Sequence, residues 1–264
     1  MEFFMDLHVY TNNTPGAANK ISFLCEQAAE KGLSAVAFTD IFNVDENGDM
    51  PYMMHRRIRH SFFDMAKARQ MYFGTVSVFA GIELRQAIAS PELVRHTLAA
   101  QNYDIVLSSL SRWSENEPFG LKPDMPQAAF NAFAERYADA LARTVAETDF
   151  DVLSRPVAPL RDTRADFSCF EQLMRPVLQA LAQKEKALEV NARDVLGSER
   201  IRDLYFRLIS YFKEAGGKYL TFGSESYSFD ELGAGIELSM SAVKRVGFSS
   251  LTFYDQRLPY CVAL

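Results

Sequence analysis

Asp6-Leu7-His8-Val9-Tyr10 closes the first apolar run of the chain and sets an acid, an imidazole and a phenol where a strand gives way to a loop. Runs of the same kind, short, rich in β-branched and aromatic residues and bounded by turn residues, recur from there to the C-terminus. They predict strands over 3–9, 34–39, 76–83, 104–109, 151–154, 187–191, 218–224 and 249–254. Apolar residues at helical spacing fill the intervals and predict helices over 17–31, 91–101, 126–148, 167–186, 198–215 and 229–246. Gly32, Gly216 and Gly247 supply the left-handed conformation that ends a helix, and Ser90-Pro91-Glu92 and Ser228-Phe229-Asp230-Glu231 supply helix starts. Alternation of this kind, with right-handed crossovers, buries a parallel sheet most fully as a single distorted (β/α)7–8 barrel related to the TIM barrel, here one α/β domain over 1–264; a doubly wound open sheet is the alternative.

Composition agrees with that size of core. The chain has 264 residues, 48% of them apolar, and 28 Lys plus Arg against 34 Asp plus Glu for a net charge of −6. Charges of both signs are spread along it, so the positive field that nucleic-acid binding requires is missing and no nucleic-acid partner is expected. Cys25, Cys169 and Cys261 show no CxxC spacing, which argues against a disulfide framework and for a reducing compartment. With no signal-like leader or apolar span to read, the expected location is cytoplasmic and no membrane partner is expected.

Ligand sites in such barrels form at the carboxyl ends of the strands. Those ends read Asp6-Leu7-His8-Val9-Tyr10, Thr39-Asp40-Ile41, Gly81-Ile82-Glu83, Ser108-Ser109-Leu110, Ser154-Arg155-Pro156, Leu188-Glu189-Val190-Asn191 and Gly223-Ser224-Glu225-Ser226-Tyr227. Seven short motifs in this order resemble the polymerase-and-histidinol-phosphatase (PHP) superfamily, most closely its histidinol-phosphate phosphatases. The resemblance spans nearly the whole chain and implies a distorted barrel that holds two or three zinc, manganese or iron ions to activate water against a phosphate ester.

The frame of each motif stands, but most of the implied ligands are replaced. Tyr10, Ile41, Leu110 and Arg155 occupy positions where the family has histidine, and Glu225 and Tyr227 take the places of an aspartate and a histidine. Of the implied ligands only His8 and Glu83 match, with Glu225 a longer substitute. Isoleucine and leucine have no lone pair, and a guanidinium is permanently positive and repels a divalent cation.

Two readings of His8 stand: it ligates one divalent metal (zinc, manganese or iron) together with Glu83 and Glu225, or it is a hydrogen-bonded remnant at the barrel mouth with no cofactor. Arg155 likewise either binds a phosphate or carboxylate, helped by Arg112, Arg193 or Arg85, or neutralises Glu83 or Glu225. Tyr10 and Tyr227 fill volume vacated by imidazole, and Asn191, Asp6, Asp40 and Ser224 complete the mouth. His55, His60 and His96 read as surface residues, and Arg56-Arg57-Ile58-Arg59 as a solvated helix face. The expected function is therefore a catalytically impaired, metal-poor PHP protein that binds a small anionic or phosphorylated metabolite or a partner protein. The alternative is a phosphomonoesterase on a reduced, single-metal site.

Overall fold

The computed structural model of the chain describes residues 4–46 and 50–264, with the side chains of 50–55 excepted. The strands are β1 (Met5–Val9), β2 (Ala35–Phe38), β3 (Ile41–Asn43), β4 (Ser77–Arg85), β5 (Ile105–Ser109), β6 (Val152–Leu153), β7 (Ala187–Asn191), β8 (Leu220–Gly223), β9 (Ser250–Asp255) and β10 (Leu258–Ala263). The helices are α1 (Ile21–Glu30), α2 (Met50–Met71), α3 (Pro91–Ala99), α4 (Gln127–Glu147), α5 (Ser168–Gln183), α6 (Ala192–Val195), α7 (Glu199–Glu214) and α8 (Ile236–Val246). No helix among the described residues is long and apolar enough to cross a membrane.

Strands β1-β2-β4-β5-β6-β7-β8 run parallel in that order and curl into a nearly closed barrel with helices outside. Every residue of β1, β2, β5, β7 and β8 is buried, as expected of parallel strands covered on both faces. Chain β2 breaks at Thr39-Asp40 and resumes as β3 along the upper half of β4. The seam between β8 and β1 is loose: the Tyr10 amide donates to the Ser226 carbonyl at 3.0 Å, and Val9 bridges Ser226. Asp6 seals the rest with its side chain, accepting from the amides of Ser224 (2.9 Å) and Gly233 (2.9 Å). A buried carboxylate thus takes over part of what a backbone ladder would do.

Three expectations need correction. The run at 249–254 is a strand but lies outside the barrel: β9 pairs antiparallel with β10. That hairpin covers the amino-terminal end of the barrel, where Phe253 stacks on Phe79 at 5.4 Å and Arg257 pairs with Asp149 and Asp151. Helix α2 extends far beyond the short helix face expected at 56–59, since few of its residues (Ile58, Met65 and Ala68 among them) are buried and its apolar stripe is thin. The final helix begins at Ile236, not 229, because Gly233 and Gly235 hold φ of 71° and 76° and turn the preceding segment.

Candidate functional site

Three glutamates converge at the carboxyl end of the barrel: Glu83 from β4, Glu189 from β7 and Glu225 just past β8. All three are buried. Each of their six oxygens already accepts a donor or faces a cation. Glu83 Oε2 accepts from Tyr10 (2.8 Å) and Arg85 (3.0 Å), and its Oε1 from Ser109 (2.7 Å) and Arg155 (3.4 Å). Glu189 Oε1 meets His8 Nδ1 at 2.5 Å, while its Oε2 accepts from the Arg155 amide (3.0 Å) and Asn191 (3.1 Å). Glu225 Oε1 lies 2.9 Å from Arg155 Nε, and its Oε2 accepts from Arg161 (2.8 Å) and Asn191 (3.2 Å).

Local sequence explains how these groups reach one another. Strand alternation turns Glu189 inward between Leu188 and Val190. Gly223 is obligatory beside it, because a Cβ there would collide with both the Glu189 carboxylate and the His8 side chain. Arg155 and Glu225 sit where strands end and take positive φ, 56° and 57°, a conformation that costs an ordinary residue about 1–2 kcal/mol. Arg161, from the loop after β6, then ties Glu225 to Asp194 (2.7 Å) and to the side-chain amide oxygen of Asn191 (3.1 Å).

Burial would push the His8 imidazole down, but Glu189 and Glu83 outweigh it and hold its pKa at about 10. At neutral pH both ring nitrogens therefore carry protons, Nδ1 toward Glu189 and Nε2 toward Tyr10 at 2.8 Å. Burial would likewise raise Glu83 and Glu225; Arg85 and Arg155 hold Glu83 well below the usual range, and Arg155 and Arg161 hold Glu225 at about 2. Asp194 goes the other way, its burial outweighing Arg161 to set it at about 6.

This donor set, as arranged, does not fit a divalent cation. Each glutamate oxygen is engaged, and Arg155 holds its positive charge between Glu83 and Glu225. Among the described residues no group of three or more His, Cys, Asp or Glu is arranged to hold a metal. Ile41 and Leu110 are buried hydrocarbon at two of the positions where the resemblance calls for imidazole.

The other site residues fall in three places. Tyr10, Asn191 and Arg85 belong to the network, and Tyr227 leans on Tyr10 with ring centroids 4.6 Å apart. Arg193 stands at the rim, donating to the Glu225 carbonyl (3.1 Å) and to Glu231 (2.8 Å). Arg112 does not join: Asp45 grips it at 2.9 and 3.0 Å, with Glu46 at 3.3 Å. Asp40 anchors the loop after β1 by accepting from Thr11, Thr14 and Ser61, and Asp6 closes the seam, so neither faces the glutamates. His60 and His96 are exposed, and the His55 side chain lies outside the described residues. Trp113 packs against Phe119 and Phe133 on α4. Sequence reading missed Glu189 and Arg161. A charged residue inside a buried strand was a usable signal for the first; nothing marked the second, which comes from an irregular loop.

The PHP domain family matches residues 6–193. A "Probable histidinol-phosphatase" of Thermotoga maritima is 23% identical over 254 residues, 96% of this chain and 97% of the relative. A "Probable phosphatase" of Shewanella piezotolerans is 26% identical over 88% of this chain and 81% of its own length. Among solved structures, histidinol phosphate phosphatase from Lactococcus lactis, complexed with zinc, L-histidinol and phosphate, superposes with a TM-score of 0.81 at 19% identity, covering 97% of this chain and 98% of that one.

Proposed function

The chain belongs to the PHP family, and we propose that it binds a small phosphorylated or carboxylated metabolite at its barrel mouth without a divalent metal and does not carry out two-metal phosphoester hydrolysis. One observation carries this reading: the Arg155 guanidinium lies between Glu83 and Glu225, where it neutralises two carboxylates that a cation would otherwise need. Arg85, Arg161 and the His8 imidazolium complete the positive charge. Permanent cations hold this end of the barrel together with no ion to lose.

The ligand's acidic group meets the rim rather than the centre. Arg161 and Arg193 are partly exposed, whereas Arg85 and Arg155 are largely covered, so the first two are the guanidiniums an anion reaches. Arg155 acts from beneath by fixing Glu225, which in turn orients Arg161.

Metal analysis of the purified protein, a phosphomonoester assay with added zinc or manganese, and calorimetry with inorganic phosphate test this. Phosphate binding that survives chelator and weakens in Arg193→Ala, with no metal-dependent turnover, is the expected result. Turnover that requires zinc or manganese and vanishes in His8→Ala overturns it. That outcome would favour a phosphomonoesterase of the histidinol-phosphatase kind on a reduced set of His8, Glu83 and Glu225, a reading supported by the near full-length likeness to the Thermotoga protein.

A further inference from the structure

Beside the network a groove of about 330 Å3 opens between α6 and the loop that precedes α8. Arg161, Arg193, Glu231 and Ser224 line it together with Leu196 and Ala234. Both arginines have donors to spare. Arg161 uses Nε on Asp194 and Nη2 on Asn191 and Glu225; Arg193 uses Nε on the Glu225 carbonyl and Nη2 on Glu231. Neither Nη1 has a partner among the described residues. The Ser224 side chain lies behind them, buried and turned to Asp6, so the two guanidiniums are the donors the groove offers. Unspent donors around one concavity are a demand for an acceptor.

The charge balance narrows what that acceptor belongs to. At the groove itself Arg161 and Arg193 pair with Asp194, Glu225 and Glu231, so carboxylates already match the two guanidiniums. A ligand that adds only negative charge must offset repulsion from the carboxylates around it; one that carries a compensating positive charge does not. Glu231 is the group to meet that positive charge. It is 41% exposed, and among the described residues it accepts only from Arg193 and the Tyr227 amide, one donor on each oxygen at 2.8 Å, which leaves lone pairs on both. Leu196 and Ala234 offer apolar contact for a short body.

Resting on the reading that the mouth recognises an acidic group, we infer that the groove takes a small aliphatic α-amino acid or close zwitterionic analogue. Its carboxylate sits on Arg161 Nη1 and Arg193 Nη1, its ammonium on Glu231, and its side chain against Leu196 and Ala234.

Calorimetry with L-leucine, isocaproate (the same skeleton without the ammonium), isoamylamine (without the carboxylate) and inorganic phosphate tests it. L-Leucine binds, and each one-charge analogue binds at least about tenfold more weakly. Glu231→Gln weakens leucine by about tenfold and does not weaken isocaproate, and Leu196→Trp, an exposed substitution that fills the groove, abolishes leucine binding. Isocaproate as tight as leucine, or leucine binding untouched by Leu196→Trp, overturns the inference. Phosphate binding without leucine binding overturns it too while leaving the broader reading in place; if neither binds, both fall.

Discussion

Arg155 and Glu225 meet across the barrel mouth with Nε and Oε1 2.9 Å apart, and both residues hold the left-handed backbone conformation. Two non-glycine residues in that region, facing each other on strand ends, are each bent to aim a charge inward. The strain persists because separating them would strand a buried charge, a larger penalty than the two backbone costs combined.

Arg155→Met should therefore destabilise the protein by about 3–5 kcal/mol, because Glu83 and Glu225 lose their shared cation while staying buried. Arg155→Met combined with Glu225→Gln should recover part of that loss, since Glu83, the carboxylate that remains, keeps Arg85. Denaturant unfolding of the two variants and the wild type measures both effects. A single-variant cost below about 1 kcal/mol, the range of an exposed pair, would mean that this ion pair is not buried in solution.

The pH dependence has two edges of opposite sign. His8 has a folded pKa of about 10, above its ordinary 6.5, so its contribution is fully present below pH 6.5 and is lost as pH rises through 10. Glu225, lowered from 4.5 to about 2, contributes stability above pH 4.5 that is lost as pH falls toward 2, and Glu83 acts in the same direction. Asp194, raised from 3.8 to about 6, opposes them: its contribution is present below 3.8 and is lost as pH rises through 6. Proton–nitrogen spectra at pH 8 should show both His8 ring nitrogens protonated, and unfolding free energy should decline between pH 7 and 10. A neutral His8 imidazole at pH 8 contradicts the upward shift of its pKa.

Gly223→Ala should cost about 1–3 kcal/mol although it adds one methyl, because that methyl enters the space shared by His8 and the Glu189 carboxylate. A control at Gly32, where φ is 73° but no atom lies within 4 Å of an added Cβ, separates crowding from backbone conformation: Gly32→Ala feels only the latter. Thermal melts of both variants decide it. If Gly223→Ala melts like the wild type, the close approach of β1 and β8 is wrong.

Much of this was legible in the sequence. The parallel strands announced themselves as buried apolar runs, and the strand-end residues His8, Glu83, Arg155, Asn191 and Glu225 come together because the barrel brings all carboxyl ends to one face. Partner choice was harder to read. Arg112 follows a strand end as Arg155 follows another, yet Asp45 and Glu46 on a neighbouring loop capture it first. Arg161 enters from a loop with no periodicity, and its position depends on Asp194, Asn191 and Glu225 all being present. Asp6 and Asp40 look like site carboxylates by position alone, but backbone amides and hydroxyls consume them.

Metal linkage gives the sharpest discrimination at the mouth. A ligand that binds only the folded state raises unfolding free energy by about 2.7 kcal/mol at a hundredfold excess over its Kd, so even modest zinc or manganese affinity would show as a concentration-dependent rise in melting temperature. Here a cation must expel the Arg155 guanidinium from Glu83 and Glu225 and strip a proton from His8, which is held at about 10. Zinc, manganese and chelator should therefore leave the wild-type melt unchanged. Arg155→His removes the fixed positive charge and adds a nitrogen donor between two glutamates, so that variant should melt higher when zinc is added. If the wild type responds as the variant does, the guanidinium is displaceable, and the mouth accepts a metal despite it.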